Sequence, residues 1–251
     1  MIDLHSHVLP GLDDGARTRE ESLAMLEAAA EAGTTDIVAT PHADTRYRYD
    51  ADQVEELIAE LNAKMQGRIR VHSGCDFHLT HDNVVDALEY PRRYTVAHRA
   101  YLMVELSNLT IFPITGELFS HLEDAGLRIV VTHPERNPLL RQRPELLQEW
   151  VAAGRYLQLT AQSLTGHWGD AARQFCRMLL DRGWAHFVAS DTHDVTHRPP
   201  TLQPAYAWLK EHYGEARARA LLVENPGAAL RGESLPQPRQ QSRGWLSRVF
   251  G

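Results

Sequence analysis

The sequence predicts an α/β barrel of seven parallel strands, on three observations. Short β-branched runs alternate with amphipathic helical stretches seven times, and such alternation calls for a parallel sheet with helical crossovers. The 251 residues suit one closed barrel, which ordinarily takes roughly 250. The polar residues able to carry chemistry recur at the carboxyl ends of the strand-like runs, where barrels of this class keep their sites.

Each element has a local reason. The opening run Met1-Ile-Asp-Leu ends in His5-Ser6-His7, whose two imidazoles, two residues apart at strand period, point the same way. That is a metal-binding geometry. After the Asp13-Asp14-Gly15 loop, Thr18-Arg-Glu-Glu21 has capping-box spacing, and Leu23, Leu26, Ala29 and Ala30 follow at helical period to Gly33. Residues 35–40 (TDIVAT) give a second strand stopped by Pro41-His42, and Asp50 caps a helix carrying Val54, Leu57, Ile58 and Leu61. Residues 68–74 (RIRVHSG) alternate as a third strand ending at Cys75-Asp76; a short helix at 82–89 leads to a fourth, Tyr101 to Glu105.

A helix over 115–125 is closed by Gly126, and residues 127–132 (LRIVVT) run into His133-Pro134-Glu135-Arg136. Pro144 suits the first turn of a helix over 144–153, and a sixth strand (RYLQLT) follows. Residues 163–182 read as one long helix ended by Gly183, and 184–190 (WAHFVAS) as the seventh strand, ending at Asp191-Thr-His193. Helical stretches at 201–213 and 215–223 close the globular part before Asn225-Pro226-Gly227.

On this map His5, His7, His42, Asp76, Glu105, His133, Asp191 and His193 share one rim. A lone histidine is ordinarily hydrogen-bonded or exposed, and His72, His81, His98, His121, His167, His186 and His212 are read that way. Eight strand-terminal imidazoles and carboxylates together are the ligand mix of Mn, Fe or Zn hydrolytic sites.

Composition narrows the partners. A formal charge of -7 and a pI near 6.0 argue against nucleic acid as the main partner. Two cysteines, Cys75 and Cys176, fit a reducing compartment, and no signal-like or membrane-spanning run occurs, so a cytoplasmic protein is expected. Cys176 and Arg182 satisfy the Cys-x5-Arg spacing of cysteine-dependent phosphatases, but the residues between them are helix formers without glycine, and the match is read as chance. Residues 231–251 read as a flexible basic tail. Its Trp245, Leu246, Val249 and Phe250 recur at helical spacing among arginines, a pattern suited to contact with anionic lipid at the inner face of the membrane or with a partner.

His5-x-His7, Asp13-Asp14-Gly15, Pro41-His42, Glu105, His133-Pro-Glu-Arg136 and Asp191-x-His193 resemble the motifs of the polymerase-and-histidinol-phosphatase (PHP) superfamily of metal-dependent phosphoesterases. Within it, the runs IDLHSH, DDGARTREES, IVATPH, HPERN and SDTHDVTHRPP resemble bacterial protein-tyrosine phosphatases encoded with capsular and exopolysaccharide genes. The resemblance spans residues 1–230, taken as one PHP domain. It implies a distorted seven-stranded barrel with up to three ions, Mn2+ first, with Fe, Co or Zn as substitutes.

By position, His5, His7, Asp76 and Asp191 would hold one ion, Asp76, Glu105 and His133 a second, and Asp14, His42 and His193 a third; spacing leaves Asp13 as an alternative to Asp14. Arg136 and Arg198 match arginines that act on the phosphoryl group, and His42 counts with them as catalytic. One departure stands out: relatives usually carry glutamate where this chain has Asp76, about one methylene shorter (~1.5 Å of reach), and His78 is a substitute ligand to weigh.

The chemistry implied is phosphomonoester hydrolysis. Two ions about 3.5–4 Å apart supply a nucleophile at neutral pH, and planar guanidiniums pair with two phosphoryl oxygens at once. The substrate expected is phosphotyrosine in the tail of a membrane-bound bacterial tyrosine autokinase that controls polysaccharide export. The alternatives are a small-molecule phosphatase, such as one for histidinol phosphate, and a non-catalytic metal-binding regulatory module. Rims of this kind can also be presented together in a homo-oligomer.

Overall fold

The computed structural model of the chain describes residues 1–235. The first strand, β1 (Ile2–Ser6), pairs in parallel with β2 (Asp36–Ala39), and β2 with β4 (Arg70–Ser73). A six-stranded parallel sheet continues the order: β3 (His42–Ala43), β5 (Asp76–His78), β6 (Tyr101–Glu105), β7 (Arg128–Thr132), β8 (Tyr156–Thr160) and β9 (Phe187–Ala189).

The second and third strands thus each resume beyond the end read from the sequence, as β3 and β5. Pro41, which has no N–H to donate to a ladder, separates β2 from β3, and Gly74-Cys75 separates β4 from β5. At the second break a Cβ on residue 74 would come within 2.6 Å of Val38 Cγ1, so the close approach there requires glycine. Past the seventh strand, a bridge between Ser6 and Thr192, with the His7 N–H donating to Thr192 O (2.9 Å) and the Asp191 N–H to His5 O (2.9 Å), joins the last strand region to the first. The ring closes as a distorted seven-stranded barrel.

Leu4, Val38, Tyr101, Met103, Val130 and Phe187 form one buried cluster, and because they come from strands that are not all neighbours, the barrel interior is what they fill. Helices cover the outside. α1 (Arg19–Glu31) and α2 (Ala51–Met65) lay Met25, Leu26, Leu57 and Leu61 on Ile37 and Val71. The Thr18 hydroxyl accepts from the Glu21 N–H, and the Asp50 carboxylate from those of Asp52 and Gln53, so both helices start where the capping signals place them. On the far side, α3 (His81–Glu89), α4 (Thr115–Asp124), α5 (Pro138–Gln142), α6 (Pro144–Ala152) and the later helices share a larger core with Val104, Val131, Leu157 and Val188.

Three expectations are corrected. The single helix over 163–182 is two, α7 (Ala161–Leu164) and α8 (Gly169–Asp181), because the chain turns through Gly166 (φ 94°) and Gly169 (φ 85°), a conformation glycine adopts without steric cost. The turn brings Trp168 to the rim. Asn225-Pro226-Gly227 does not end the globular part: after α9 (Gln203–Tyr213) and α10 (Glu215–Arg219), a wide π turn over Ala220–Glu224 leads into α11 (Asn225–Arg231), whose first turn tolerates Pro226. Residues 231–235, assigned to the tail, pack on the barrel's amino end, where Tyr101 Oη donates to Glu233 O (2.6 Å) and Arg128 to Gly232 O (3.1 Å). The basic stretch from 236 onward lies outside the described residues. Among the described residues no helix is long and apolar enough to cross a membrane.

Candidate metal centre

All eight rim residues read from the strand ends meet at the carboxyl end of the barrel, and Asp14 joins them. Strand pairing explains part of this directly. In register His42 lies beside Asp76, and His78 beside Glu105, so three adjacent strands present a two-by-two block of imidazoles and carboxylates.

His5 Nε2 stands 3.2 Å from His7 Nε2, 3.4 Å from Asp76 Oδ2 and 3.5 Å from Asp191 Oδ1. His7 Nε2 is 3.4 Å from the same Asp191 oxygen. Asp14 Oδ1 lies 3.4 Å from His42 Nε2 and 3.3 Å from His193 Nε2. His42 turns its other nitrogen, Nδ1, to Asp76 Oδ2 (3.3 Å) and Glu105 Oε2 (3.6 Å), while His133 Nε2 is 3.9 Å from Glu105 Oε1. Donor atoms bound about 2.0–2.2 Å from a shared ion stand roughly 3–3.5 Å from one another, and most of these separations fall there.

The neighbours Asp13 and Asp14 are now distinguished. Asp13 Oδ2 accepts from His7 Nδ1–H at 2.6 Å and from the His42 N–H (3.1 Å), while its Oδ1 accepts the Gly15 N–H (2.9 Å). That leaves His7 Nε2 bare toward the cluster, the outer-carboxylate arrangement that orients a ligating histidine. Gln158 Oε1, 3.1 Å from His5 Nδ1, fixes the other imidazole in the same way.

The electrostatics suit a cation. Burial alone would raise the Asp76 and Asp191 carboxyls, yet the facing His5, and for Asp191 also Arg136, hold both well below the usual range. Glu105 goes the other way, raised by burial and by the Asp76 charge. Burial and the Arg136 charge push His133 far down, and burial beside His7 takes His193 to about 4, so both imidazoles are neutral with lone pairs free. His42 Nδ1 and Asp76 Oδ2 are buried without a hydrogen-bond partner among the described residues. Orphaned buried polar atoms are costly, and an ion between them removes the cost. Three overlapping groups have ligand atoms within 4.8 Å of one another: His7, Asp14, His42 and His193; His42, Asp76, His78 and Glu105; and His5, His7 and Asp76. The residues fit metal ions.

Two cations of the chain's own flank the cluster. Arg136 and Arg198 both pair with Asp191 Oδ2, Arg198 Nη2 at 2.6 Å, and both guanidiniums lie over the Trp168 ring, 4.0 and 5.5 Å from its centroid. Trp168 was not singled out from the sequence, because only the Gly166–Gly169 turn brings it here. Tyr47 was not either; it stacks on His42 at 5.9 Å and lines, with Asp14, Arg17, Arg46 and His193, an open cleft of about 700 Å³ beside the cluster. Glu135 of the HPER motif stays out of the rim, accepting from the Thr160 N–H and the Ser163 hydroxyl as a buried brace. Asn137 ties the same loop to β6 by donating to Leu106 O while capping α5.

Strain marks the same place. His133 (φ 29°) and Asp191 (φ 53°) are left-handed without being glycine, at a cost of about 1–3 kcal/mol each. Cys176 is buried inside α8 with its thiol pushed up by burial, so no phosphate-cradling loop surrounds it.

A family model described as "Capsular polysaccharide synthesis, CpsB/CapC" matches residues 1–231. The chain belongs to the CpsB/CapC family. It is 31% identical over 246 residues to the tyrosine-protein phosphatase YwqE of Bacillus subtilis (strain 168), covering 95% of this chain and 96% of that protein. With the tyrosine-protein phosphatase CpsB of Streptococcus pneumoniae it shares 29% over 238 residues, 90% and 96% of the two chains. A crystal structure among those of YwqE and CpsB, described as unique metal-dependent tyrosine phosphatases, matches with a TM-score of 0.89 at 31% identity, covering 95% of this chain and 98% of that one. Outside the CpsB/CapC proteins the barrel alone is shared, as with a histidinol phosphate phosphatase from Lactococcus lactis, at 11% identity and a TM-score of 0.54 over 84% of this chain and 94% of that one.

Proposed function

We propose that this chain hydrolyses phosphotyrosine in the tail of a membrane-bound bacterial tyrosine autokinase, with Mn2+ as the ion at its rim. It is a metal-dependent tyrosine phosphatase of the CpsB/CapC family in capsular polysaccharide synthesis. The observation that carries the reading is one cluster of nine candidate ligands, His5, His7, Asp14, His42, Asp76, Glu105, His133, Asp191 and His193, with two guanidiniums at its edge. Bound ions supply Lewis acidity and a water of lowered pKa.

The chain's own residues do the rest. Arg136 and Arg198, held over the Trp168 ring, offer planar forks to the non-bridging phosphoryl oxygens, whose charge a phosphoryl-transfer transition state spreads out. Asp191 orients both forks before substrate arrives. His42 faces two ligand groups with its two nitrogens, so it ties the Asp14 side of the rim to the Asp76 side. The cleft by Tyr47 is wide enough for a phenyl ring and open enough for the peptide that carries it. A phenol leaves with a pKa of about 10, so no strong general acid is needed. Mixed imidazole and carboxylate ligands accept Fe, Co or Zn as well as Mn. The basic, apolar-spaced terminus from Arg243 supports docking near anionic lipid, where a membrane-bound kinase presents its tail.

The test is turnover of a phosphotyrosyl peptide against histidinol phosphate by Mn-loaded protein. Preference for the peptide supports the reading, and preference for histidinol phosphate moves the chain to the amino-acid branch.

A further inference from the structure

We propose that His78 is itself a metal ligand: its Nε2 completes the ion site that Asp76 and Glu105 share. The inference rests on the metal-dependent reading of the rim and adds a residue to it.

The shared carboxylate creates the need. Asp76 is wholly buried, and its Oδ1 points away from the rim to the Thr132 hydroxyl (3.5 Å), whose closer acceptor is Val104 O (3.2 Å). Oδ2 is the oxygen turned to the cluster, and that one atom faces both His5 Nε2 (3.4 Å) and His42 Nδ1 (3.3 Å). Ions on the two sides would share this one oxygen, so Asp76 gives the ion on the Glu105 side a single shared donor and leaves room for another. His42 turns Nδ1 to this side, but a neutral imidazole has one lone pair, and with Nε2 serving the Asp14 side Nδ1 carries the proton. His133 approaches from the other side of Glu105, 3.9 Å from its Oε1, and leaves the Oε2 side open.

Strand geometry brings His78 to the gap. It is two residues beyond Asp76 on β5, hence on the same face, and its register partner on β6 is Glu105. Its Nε2 lies 3.0 Å from Glu105 Oε2, the oxygen that also faces His42. His42, Asp76, His78 and Glu105 each offer a ligand atom within 4.8 Å of the others, so one ion can be shared by Asp76, Glu105 and His78. Imidazole with two carboxylates suits a divalent Mn, Fe or Zn ion.

The rival account is that His78 merely donates a hydrogen bond to Glu105 and holds it in place. His78→Gln separates the two, since the glutamine amide keeps a donor for Glu105 but is a poor metal ligand. The measurements are Mn equivalents retained after gel filtration, and the count of contact-shifted, exchangeable imidazole N–H resonances in the Co(II)-loaded protein. The expected result is one equivalent fewer in His78→Gln, with that site weakened more than about 100-fold, beyond the roughly 10–100-fold that loss of an outer hydrogen bond costs, and one resonance fewer. Full equivalents and an unchanged resonance count in His78→Gln would overturn the proposal. His78→Ala repeats the count without the amide, and the glutamine variant carries the test if alanine does not fold. Phosphatase turnover is a separate readout: a His78-dependent ion in a chain that fails to hydrolyse phosphotyrosine would defeat the functional reading and leave this one standing.

Discussion

Asp13 and Asp14 sit side by side in the chain and face opposite ways. Asp14 meets two imidazoles of the cluster, while Asp13 holds His7 from behind. The sequence displays both carboxylates but not their directions, since a loop has no period from which to read them. Strand residues were legible for the opposite reason: His5, Asp76 and Glu105 end runs whose alternation is fixed by backbone geometry. Arg136→Ala should lower kcat/KM for a phosphotyrosyl peptide by about 10²–10³-fold, the usual cost of losing one charge-stabilising donor, and steady-state kinetics will read it. Cys176→Ser should leave the same rate unchanged, because the thiol is buried in a helix; a dead variant would return the chemistry to cysteine.

The elements hold the site through a few close approaches. After β1 the chain doubles back so tightly that a Cβ on Gly15 would come within 2.1 Å of His7 O and 2.4 Å of His7 Cβ. Gly15→Ala should therefore displace the Asp13-Asp14 loop, lowering both Mn equivalents and thermal midpoint, measured by metal analysis and calorimetry. Pro41 and Cys75-Asp76 were legible as strand ends but not the resumption of each strand beyond them as β3 and β5, and the turn through Gly166 was hidden in a stretch read as one helix. Just before β9, His186 accepts the Leu157 N–H at Nδ1 (3.2 Å), and burial together with the Arg217 charge lowers its pKa from 6.5 to about 4. As pH falls the unfolded chain takes this proton first, so the stability contributed by neutral His186 is intact above about 6.5 and lost toward 4. The stability difference between the natural chain and His186→Gln should shift by up to about 3 kcal/mol across that window in denaturant titrations, and a constant difference would contradict the assignment.

At the scale of the whole molecule, the barrel is a device for bringing strand ends together. Seven alternating units sufficed to predict it, because parallel strands with helical crossovers leave few other closed arrangements. The helical closure beyond Asn225 was less legible, since a proline is read as a stop unless the wide turn before it is known. The same assembly gathers buried carboxylates and imidazoles whose arrangement suits cations. Removing metal with chelator should lower the thermal midpoint by roughly 5–10 °C per ion, relative to protein held at about 100-fold over that ion's Kd, and calorimetry with and without Mn will show it. The central claim joins metal, rim and substrate, and one experiment addresses all three: hydrolysis of a phosphotyrosyl peptide by Mn-loaded protein, by chelator-stripped protein and by His42→Ala. The account expects turnover in the first and its loss in the other two. Turnover that survives the chelator and the substitution would contradict it.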